Sequence, residues 1–199
     1  MIVEEIMFQS FFAITFVIRL ILDGRSGWTV SVHFHAVLTV VLKLHPLLLV
    51  TPTPICDDCT DIRWKNFKGC LGALDGTYID VQVRLVEKPK YRTRKGNISI
   101  NVLGVVDRNA KFVYMLSGWE GSTTDSRVLR GLRVPFGNYY LCDNGYTNSD
   151  GFLAPYRATR YHLNDFGVGR SRPQNKKELF NLRHLRARNV IERSWGMMK

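Results

Sequence analysis

Carboxylates that border apolar segments are the residues of this sequence best suited to chemistry. Asp75 and Asp143 each follow an apolar segment, and Asp125 opens a segment expected to be helical. If strand pairing brings these acids together, their mutual repulsion raises their pKa values unless a cation neutralises the group. Oxygen ligands of this kind suit a hard divalent cation such as Mg²⁺. The sequence therefore allows a metal site built from dispersed aspartates.

Glu192 is a fourth candidate because it lies in a long helix predicted over residues 176–198. Its neighbours Ile191 and Trp195 are apolar, so we expect its side chain to be half-buried. The structural alternative is an ion pair with Arg188, which stands one helical turn earlier.

Each aspartate has a structural alternative as well. Asp75 begins an Asp-Gly pair and Asp143 an Asp-Asn-Gly triplet, and both sequences are typical of turns. Asp125 suits the N-cap of a helix that begins at Ser126. Sequence spacing alone leaves these alternatives open.

The four cysteines are too few for a disulfide framework in a chain of 199 residues, which favours a reducing compartment. Cys56 and Cys59 have the spacing of half a zinc site, but Cys70 and Cys142 stand alone in apolar segments. The preceding Thr-Pro-Thr-Pro sequence indicates a loop, which does not suit a thioredoxin-like redox site. We therefore expect neither a metal nor a redox role for the pair, and no catalytic role for the five histidines.

The chain carries a net charge of +11, which favours a polyanionic partner, with nucleic acid ahead of an anionic membrane surface. Two basic groups are candidates for contact with a phosphate backbone, and a solvated surface explains them equally well. The first group consists of Arg84, Lys88, Lys90, Arg92, Arg94 and Lys95, and the second, on the helix of Glu192, of Arg183, Arg186, Arg188 and Arg193.

The apolar patterns predict a mixed α/β domain with a helix packed on a sheet. Strands are predicted over residues 71–83 (interrupted at the Asp-Gly pair), 98–106, 112–116 and 139–142, a short helix over 128–132 and the long helix over 176–198. A length of 199 residues with 45% hydrophobic residues is sufficient for one core of ordinary size.

Ahead of the strands, residues 28–49 have apolar residues at helical spacing. Ser26 or Thr29 is available to cap this helix, and Pro46 is expected to end it. Residues 51–69 are rich in Pro, Thr and Asp, and this composition predicts a linker.

Residues 6–22 are apolar enough to suggest a signal peptide or a membrane span. However, Glu4 and Glu5 precede this segment instead of lysines, and Arg19 interrupts it. A terminal helix is therefore favoured, and no membrane partner is expected.

The order of several longer motifs resembles the plant Harbinger-type (PIF/Harbinger) transposases and the nucleases derived from them. The resemblance runs from about Gly27 to the last residue. The motifs that carry it are VHFHAVL (32–38), CLGALDGTYI (70–79), YRTRKG (91–96), GWEGS and DSRVL (118–129), YLCDNGYTN (140–148), GFLAPYR (151–157), and ELFN through RNVIER (178–193).

This resemblance implies the RNase H-like fold of the DDE nucleases, a mixed sheet with flanking helices preceded by a short helical segment. It assigns metal binding to Asp75, Asp125, Asp143 and Glu192, and catalysis to Asp75, Asp143 and Glu192. The implied reaction is phosphoryl transfer on DNA with two Mg²⁺ or Mn²⁺ ions and no side-chain nucleophile. Glu178 also lies in a matching motif, but on a continuous helix it would stand roughly 20 Å from Glu192, which is preferred.

Residues 1–50 are then expected to be a remnant of a helix-turn-helix-like region, 51–69 a linker and 70–199 the nuclease domain. The resemblance further implies a nuclear location, DNA as the partner and a Myb-like protein as a second candidate partner. Family members usually extend past the last motif, so a truncated C-terminus is expected. The alternative function is a catalytically silent adaptor that binds DNA or protein.

Overall fold

A five-stranded mixed sheet lies at the centre of residues 51–199 in the computed structural model, which describes residues 23–48, 51–120, 129, 132–161 and 172–198. The strands are β1 (Cys70–Asp80), β2 (Ser99–Val106), β3 (Phe112–Glu120), β4 (Tyr139–Leu141) and β5 (Phe152–Leu153). The described helices are α1 (Gly27–Leu48), α2 (Lys88–Tyr91) and α3 (Lys176–Met198).

The strand order is β3-β2-β1-β4-β5. Antiparallel pairing joins β1 to β2 and β2 to β3, whereas parallel pairing joins β1 to β4 and β4 to β5. The predicted mixed α/β fold is confirmed.

β1 runs through Asp75 and Gly76 without a break, because these residues pair with Gly104 and Leu103 of β2. The turn interpretation of this Asp-Gly pair is therefore wrong, since pairing within the sheet outweighs a local turn preference. β3 continues to Glu120, further than predicted. β5 was not predicted because two residues are too few to show a strand pattern.

A β-bulge in β1 sets the register between β1 and β4. At Leu71, two steps along β1 match one step along β4, so this residue is the extra one. Gly72 has a φ of +149°, and a Cβ there would lie 1.9 Å from the carbonyl oxygen of Val106, so the position requires glycine. Beyond the bulge, Ala73 pairs with Leu141.

The sheet buries apolar side chains on both faces. On the face covered by α3, Ala73, Val106 and Leu141 are buried together with Val190 and Ile191 of the helix. On the opposite face the buried side chains include Leu74, Leu103, Val105, Tyr140 and Tyr146.

Residues 51–69 belong to this core, so the prediction of a linker is wrong. Ile55, Trp64 and Phe67 are buried in the same cluster as the apolar residues of α3. The N–H group of Ile55 also donates a hydrogen bond to the carbonyl of Cys70 at 2.9 Å, which attaches the segment to the start of β1. The sequence did not predict their burial, because these apolar residues follow neither helical nor strand spacing and the segment is rich in Pro and Thr.

α3 occupies the predicted range and packs across β1, β2 and β4. Asn175 caps its start, since its side-chain oxygen accepts the N–H of Glu178 at 2.9 Å. Near the other end, Trp195 lies against Gly104 of β2, where a Cβ would stand 2.4 Å from the indole ring. This glycine allows the helix to approach the sheet closely.

α1 belongs to the other unit of the chain, residues 1–50, which is described by itself. Ser26 caps the helix as predicted, because its Oγ accepts the N–H of Thr29 at 3.2 Å. The helix continues past Pro46 to Leu48, so the prediction that this proline ends it is wrong. Proline removes the hydrogen bond of its own nitrogen but leaves the following residues free to adopt helical angles.

The helix predicted over residues 6–22 lies outside the described residues. Of the short helix predicted over 128–132, only 129 and 132 are described. None of the described helices has the length and apolar character needed to cross a membrane.

We expect Gly104→Ala to lower the free energy of unfolding by about 1–3 kcal/mol, because the added methyl group would displace the Trp195 indole. Gly196→Ala is the matched control on α3, since apart from its chain neighbours and the adjacent helix backbone no atom of the described residues lies within 4 Å of its Cβ position. Alanine forms helices better than glycine, so this variant should be unchanged or up to about 1 kcal/mol more stable. Urea denaturation measures both values, and equal stabilities would contradict the packing role of Gly104.

Candidate active site

Asp75 lies on β1, and Asp143 lies just past the end of β4, the parallel neighbour of β1. Each stands two residues after the paired residues Ala73 and Leu141. Because side chains alternate along a strand, positions two residues apart point to the same face of the sheet. The register therefore places both carboxylates on the face that α3 covers.

α3 adds Arg188 and Glu192, which are one turn apart. The Nη2 of Arg188 donates to Asp75 Oδ2 at 3.3 Å and forms an ion pair with Asp143 Oδ1 at 3.2 Å. Its Nη1 donates to Glu192 Oε1 at 2.9 Å. The three acids around Arg188, namely Asp75, Asp143 and Glu192, are called the carboxylate cluster below. The structural alternative for Glu192, an ion pair with Arg188, is thus confirmed, but the same guanidinium also binds both aspartates.

The carboxylate cluster is buried on one side and open on the other. The Arg188 side chain is 4% exposed, whereas the Asp143 and Glu192 side chains are 41% and 47% exposed. Asp75 lies between these extremes at 22%. A ligand can therefore approach the acids from solvent, with the guanidinium behind them.

Burial raises the pKa of Asp75 to about 6, and repulsion from Asp143 adds to this effect. The Arg188 charge and the N–H of Gly76, which donates to Asp75 Oδ1 at 2.9 Å, act in the opposite direction. Burial works to lower the pKa of the Arg188 guanidinium, but the surrounding carboxylates, with Tyr161, raise it above its ordinary value. The guanidinium therefore stays charged, whereas burial disfavours the ionised form of Asp75.

Glu178 takes no part in the carboxylate cluster. Its side chain forms an ion pair with Arg160 and accepts the N–H of Gln174, and the hydrogen bond from Arg160 is the main cause of its lowered pKa. The structure therefore brings Glu192, and not Glu178, to Asp75. Asp125 lies outside the described residues.

The carboxylate cluster fits a divalent cation in its chemistry, because carboxylate oxygens are the hard donors that Mg²⁺ and Mn²⁺ prefer. In the present arrangement one oxygen from each acid contacts Arg188. Among the described residues, no group of three or more His, Cys, Asp or Glu side chains is arranged to hold a metal ion. The acids have converged around a guanidinium.

The two predicted basic groups are exposed except at Arg188. Exposed residues of these groups include Lys88, Lys90, Arg92, Arg94, Lys95, Arg186 and Arg193. Arg188 is buried among three acids, so it is not part of an exposed basic surface. Asp75 and Asp143 are far from Arg188 in sequence, so the sequence around Arg188 could not predict these ion pairs.

Two buried polar residues of α3 hold the chain after β5 against the helix. Asn181 accepts the N–H of Tyr156 at 2.8 Å and donates to the carbonyl of the same residue at 3.0 Å. His184 Nε2 lies 2.9 Å from the carbonyl oxygen of Leu153, and since that oxygen only accepts, Nε2 carries the proton. Its Nδ1 then accepts the hydroxyl of Tyr161 at 3.2 Å.

Sequence reasoning missed Asn181 and the central position of Arg188. The available signal was spacing, because polar residues at 181, 184 and 188 recur at helical spacing on the side of α3 that is otherwise apolar. A buried polar side chain needs a partner, so each of these positions predicts a contact to another part of the chain.

The two buried cysteine thiols, Cys70 and Cys142, stay protonated at neutral pH. Burial raises the pKa of both Cys70 and Cys142 to about 12. A hydrogen bond with Asp58 is the main cause of the raised pKa of Cys56. The residues next to the carboxylate cluster therefore offer acids, and no thiolate, for chemistry.

A family model described as "DDE superfamily endonuclease" matches residues 74–199, a range that contains all three acids of the carboxylate cluster. Protein ALP1-like from Arabidopsis thaliana is 26% identical over an alignment of 158 residues, which covers 68% of this chain and 36% of that protein. The chain therefore spans little more than a third of that relative. No solved structure matches.

We expect His184 to make the protein less stable in mild acid. Burial lowers its pKa from 6.5 to about 4, so the unfolded chain binds more protons than the folded protein between these values. Between pH 7 and pH 5 this costs about 2 kcal/mol of unfolding free energy. Asp75, whose pKa is raised, acts with the opposite sign, so the effect of His184 must be isolated by a comparison.

The comparison is with His184→Gln, measured by urea denaturation at both pH values. The native protein should lose about 2 kcal/mol more than the variant on acidification, because only the native protein carries the histidine. The same loss in both proteins would show that His184 is not held neutral by its surroundings.

Proposed function

The chain belongs to the DDE superfamily endonucleases, and we propose that it cuts phosphodiester bonds of DNA with divalent metal ions held by Asp75, Asp143 and Glu192. The family match confirms the resemblance to transposase-derived DDE nucleases and the RNase H-like fold. A Harbinger-type origin and a contribution of Asp125 as a further ligand are parts of the same proposal.

One observation carries the proposal: three acids that are distant in sequence meet at one guanidinium. One acid comes from the middle of β1, one follows β4 and one lies on α3. Asp75 Oδ2 and Asp143 Oδ1 both contact Nη2 of Arg188, so the distance between these two oxygens cannot exceed the sum of the 3.3 and 3.2 Å contacts. Metal-assisted phosphoryl transfer requires oxygen ligands that converge in this way from separate elements.

The residues around the carboxylate cluster define what the protein itself does in this reaction. β1 positions Asp75, the end of the neighbouring strand β4 positions Asp143, and α3 brings Glu192 to their solvent side. Two bound Mg²⁺ or Mn²⁺ ions would activate the attacking oxygen and stabilise the leaving oxygen. No side-chain nucleophile is needed, which agrees with the protonated thiols and the hydrogen-bonded, neutral His184 nearby.

DNA is the substrate that this family membership implies, and the net charge of +11 supports it. The exposed basic residues of α3, Arg186 and Arg193, stand seven residues apart and so lie in one row along the helix. We propose that they contact the phosphate backbone, together with the basic group around α2. The proposal includes a nuclear location and leaves DNA specificity to a Myb-like partner.

An adaptor without catalytic activity is the second candidate function. The observation that favours it is that each acid of the carboxylate cluster already has a cationic partner in Arg188. DNA cleavage assays separate it from the first candidate.

We expect Asp75→Asn, Asp143→Asn and Glu192→Gln each to reduce Mg²⁺- or Mn²⁺-dependent nicking of supercoiled DNA by at least about 100-fold, because each removes a charged metal ligand. Glu178→Gln is the matched control, since it changes a glutamate of the same helix that pairs with Arg160 instead. Its nicking rate should equal that of the native protein.

Chelation by EDTA should abolish nicking by the native protein. Nicking that persists in Asp75→Asn, or a native protein that binds DNA but does not nick it with either metal, would contradict the nuclease proposal. The second result would support the adaptor.

We expect DNA affinity to fall steeply with salt, because cations released from the phosphate backbone drive binding. The double variant Arg186→Gln/Arg193→Gln should flatten the slope of log Kd against log salt by about one for each phosphate that the protein no longer neutralises. Arg63→Gln is the control, because Arg63 is engaged in an ion pair with Asp61. Fluorescence anisotropy at several salt concentrations measures the slopes, and identical slopes for the two variants would rule out contact through α3.

A further inference from the structure

Arg188 places its positive charge at the point where the three acids of the carboxylate cluster meet. Its Nη2 contacts both aspartates and its Nη1 contacts Glu192. Without this guanidinium, β1, β4 and α3 would hold three negative charges close together on a partly buried surface, which is unfavourable. Arg188 is therefore the counter-charge of the carboxylate cluster when no metal is bound.

The guanidinium does not fit the acids well. The two Nη2 contacts measure 3.3 and 3.2 Å, longer than the roughly 2.7–2.9 Å of strong charge-assisted hydrogen bonds. Among the described residues, none accepts a hydrogen bond from the buried Nε of Arg188. A buried donor without an acceptor is unfavourable, so this arrangement is easier to disrupt than a fully satisfied bidentate pair.

A metal ion at Asp75 would need an oxygen that is already in use. Oδ1 of this residue accepts the N–H of Gly76, and Oδ2 accepts Nη2 of Arg188. The backbone contact lies within β1 and is fixed by the strand, whereas the guanidinium stands at the end of a long side chain. A divalent ion next to the guanidinium would also be repelled by its charge.

We propose that Arg188 competes with divalent metal for the carboxylate cluster, and that its guanidinium leaves Asp75 and Asp143 when metal binds. Arg188 is then a positioning residue: it keeps the acids folded together in the metal-free protein and weakens metal binding. This inference rests on the proposed function, because it takes the carboxylate cluster to be the metal site.

The test uses the full chain with Arg188→Gln, which keeps a polar side chain but removes the charge. In EDTA, this variant should melt roughly 5–10 °C below the native protein, because the three acids lose their counter-charge. It should nevertheless bind Mn²⁺ at least about 10-fold more tightly by titration calorimetry, and Mn²⁺ should raise its Tm more than it raises the native Tm.

Arg160→Gln is the matched control, because Arg160 also pairs with a glutamate of α3 but lies outside the carboxylate cluster. A purely structural role of an arginine lowers the Tm without tightening metal binding. The control should therefore show the native affinity for Mn²⁺.

Arg188→Lys covers the case in which Arg188→Gln does not fold. Lysine keeps the positive charge but lacks the planar guanidinium that contacts three acids at once. This variant should therefore bind Mn²⁺ more tightly than the native protein and less tightly than Arg188→Gln. Binding equal to or weaker than native in the folded Arg188 variants would overturn the competition.

The outcomes distinguish this inference from the function on which it rests. If neither the native protein nor the Arg188 variants bind Mn²⁺, the metal site itself is wrong. If the native protein binds Mn²⁺ and the variants bind it no better, the metal site stands and only the competition fails.

Discussion

The need to neutralise a guanidinium buried at the junction of sheet and helix is the constraint on which this structure depends. Arg188 has almost no access to water, so its charge must be balanced by protein groups. Those groups come from β1, the end of β4 and α3, and all three must be correctly placed at the same time. The same ion pairs that hold the helix on the sheet thus bring together the acids that define the candidate active site.

Close packing supports this arrangement from both sides. Gly104 admits the indole of Trp195 to the surface of the sheet, which brings the end of α3 near the strand that bears Asp75. Ile55, Trp64 and Phe67 fill the same core layer from a segment without regular secondary structure. The family match begins at residue 74, but the core that supports its acids begins about twenty residues earlier. The family match and the folding unit therefore begin at different points of the chain.

Local patterns were sufficient to predict most of the elements, but they predicted neither β5 nor the contacts between distant residues. The range of α3 and the cap of α1 follow from signals within one or two turns of helix. The Asp-Gly pair of β1 misled because turn preference is local and strand pairing is not. The acids were recognised as candidates from their positions beside apolar segments, and motif resemblance then assigned their roles. The burial of Arg188 was missed because its partners Asp75 and Asp143 lie on other elements.

The bulge at Leu71 determines which surface of the sheet carries the chemistry. In a strand, inserting or removing one residue reverses the orientation of every later side chain relative to its neighbour. If β1 paired with β4 without the bulge, in the register set by Cys70 and Tyr139, Asp75 would align with the position after Asp143, and the two carboxylates would point to opposite layers of the domain. The side-chain orientation along β1 thus depends on a backbone conformation that requires glycine at position 72. A residue without a side chain therefore determines to which face the functional side chain of Asp75 points.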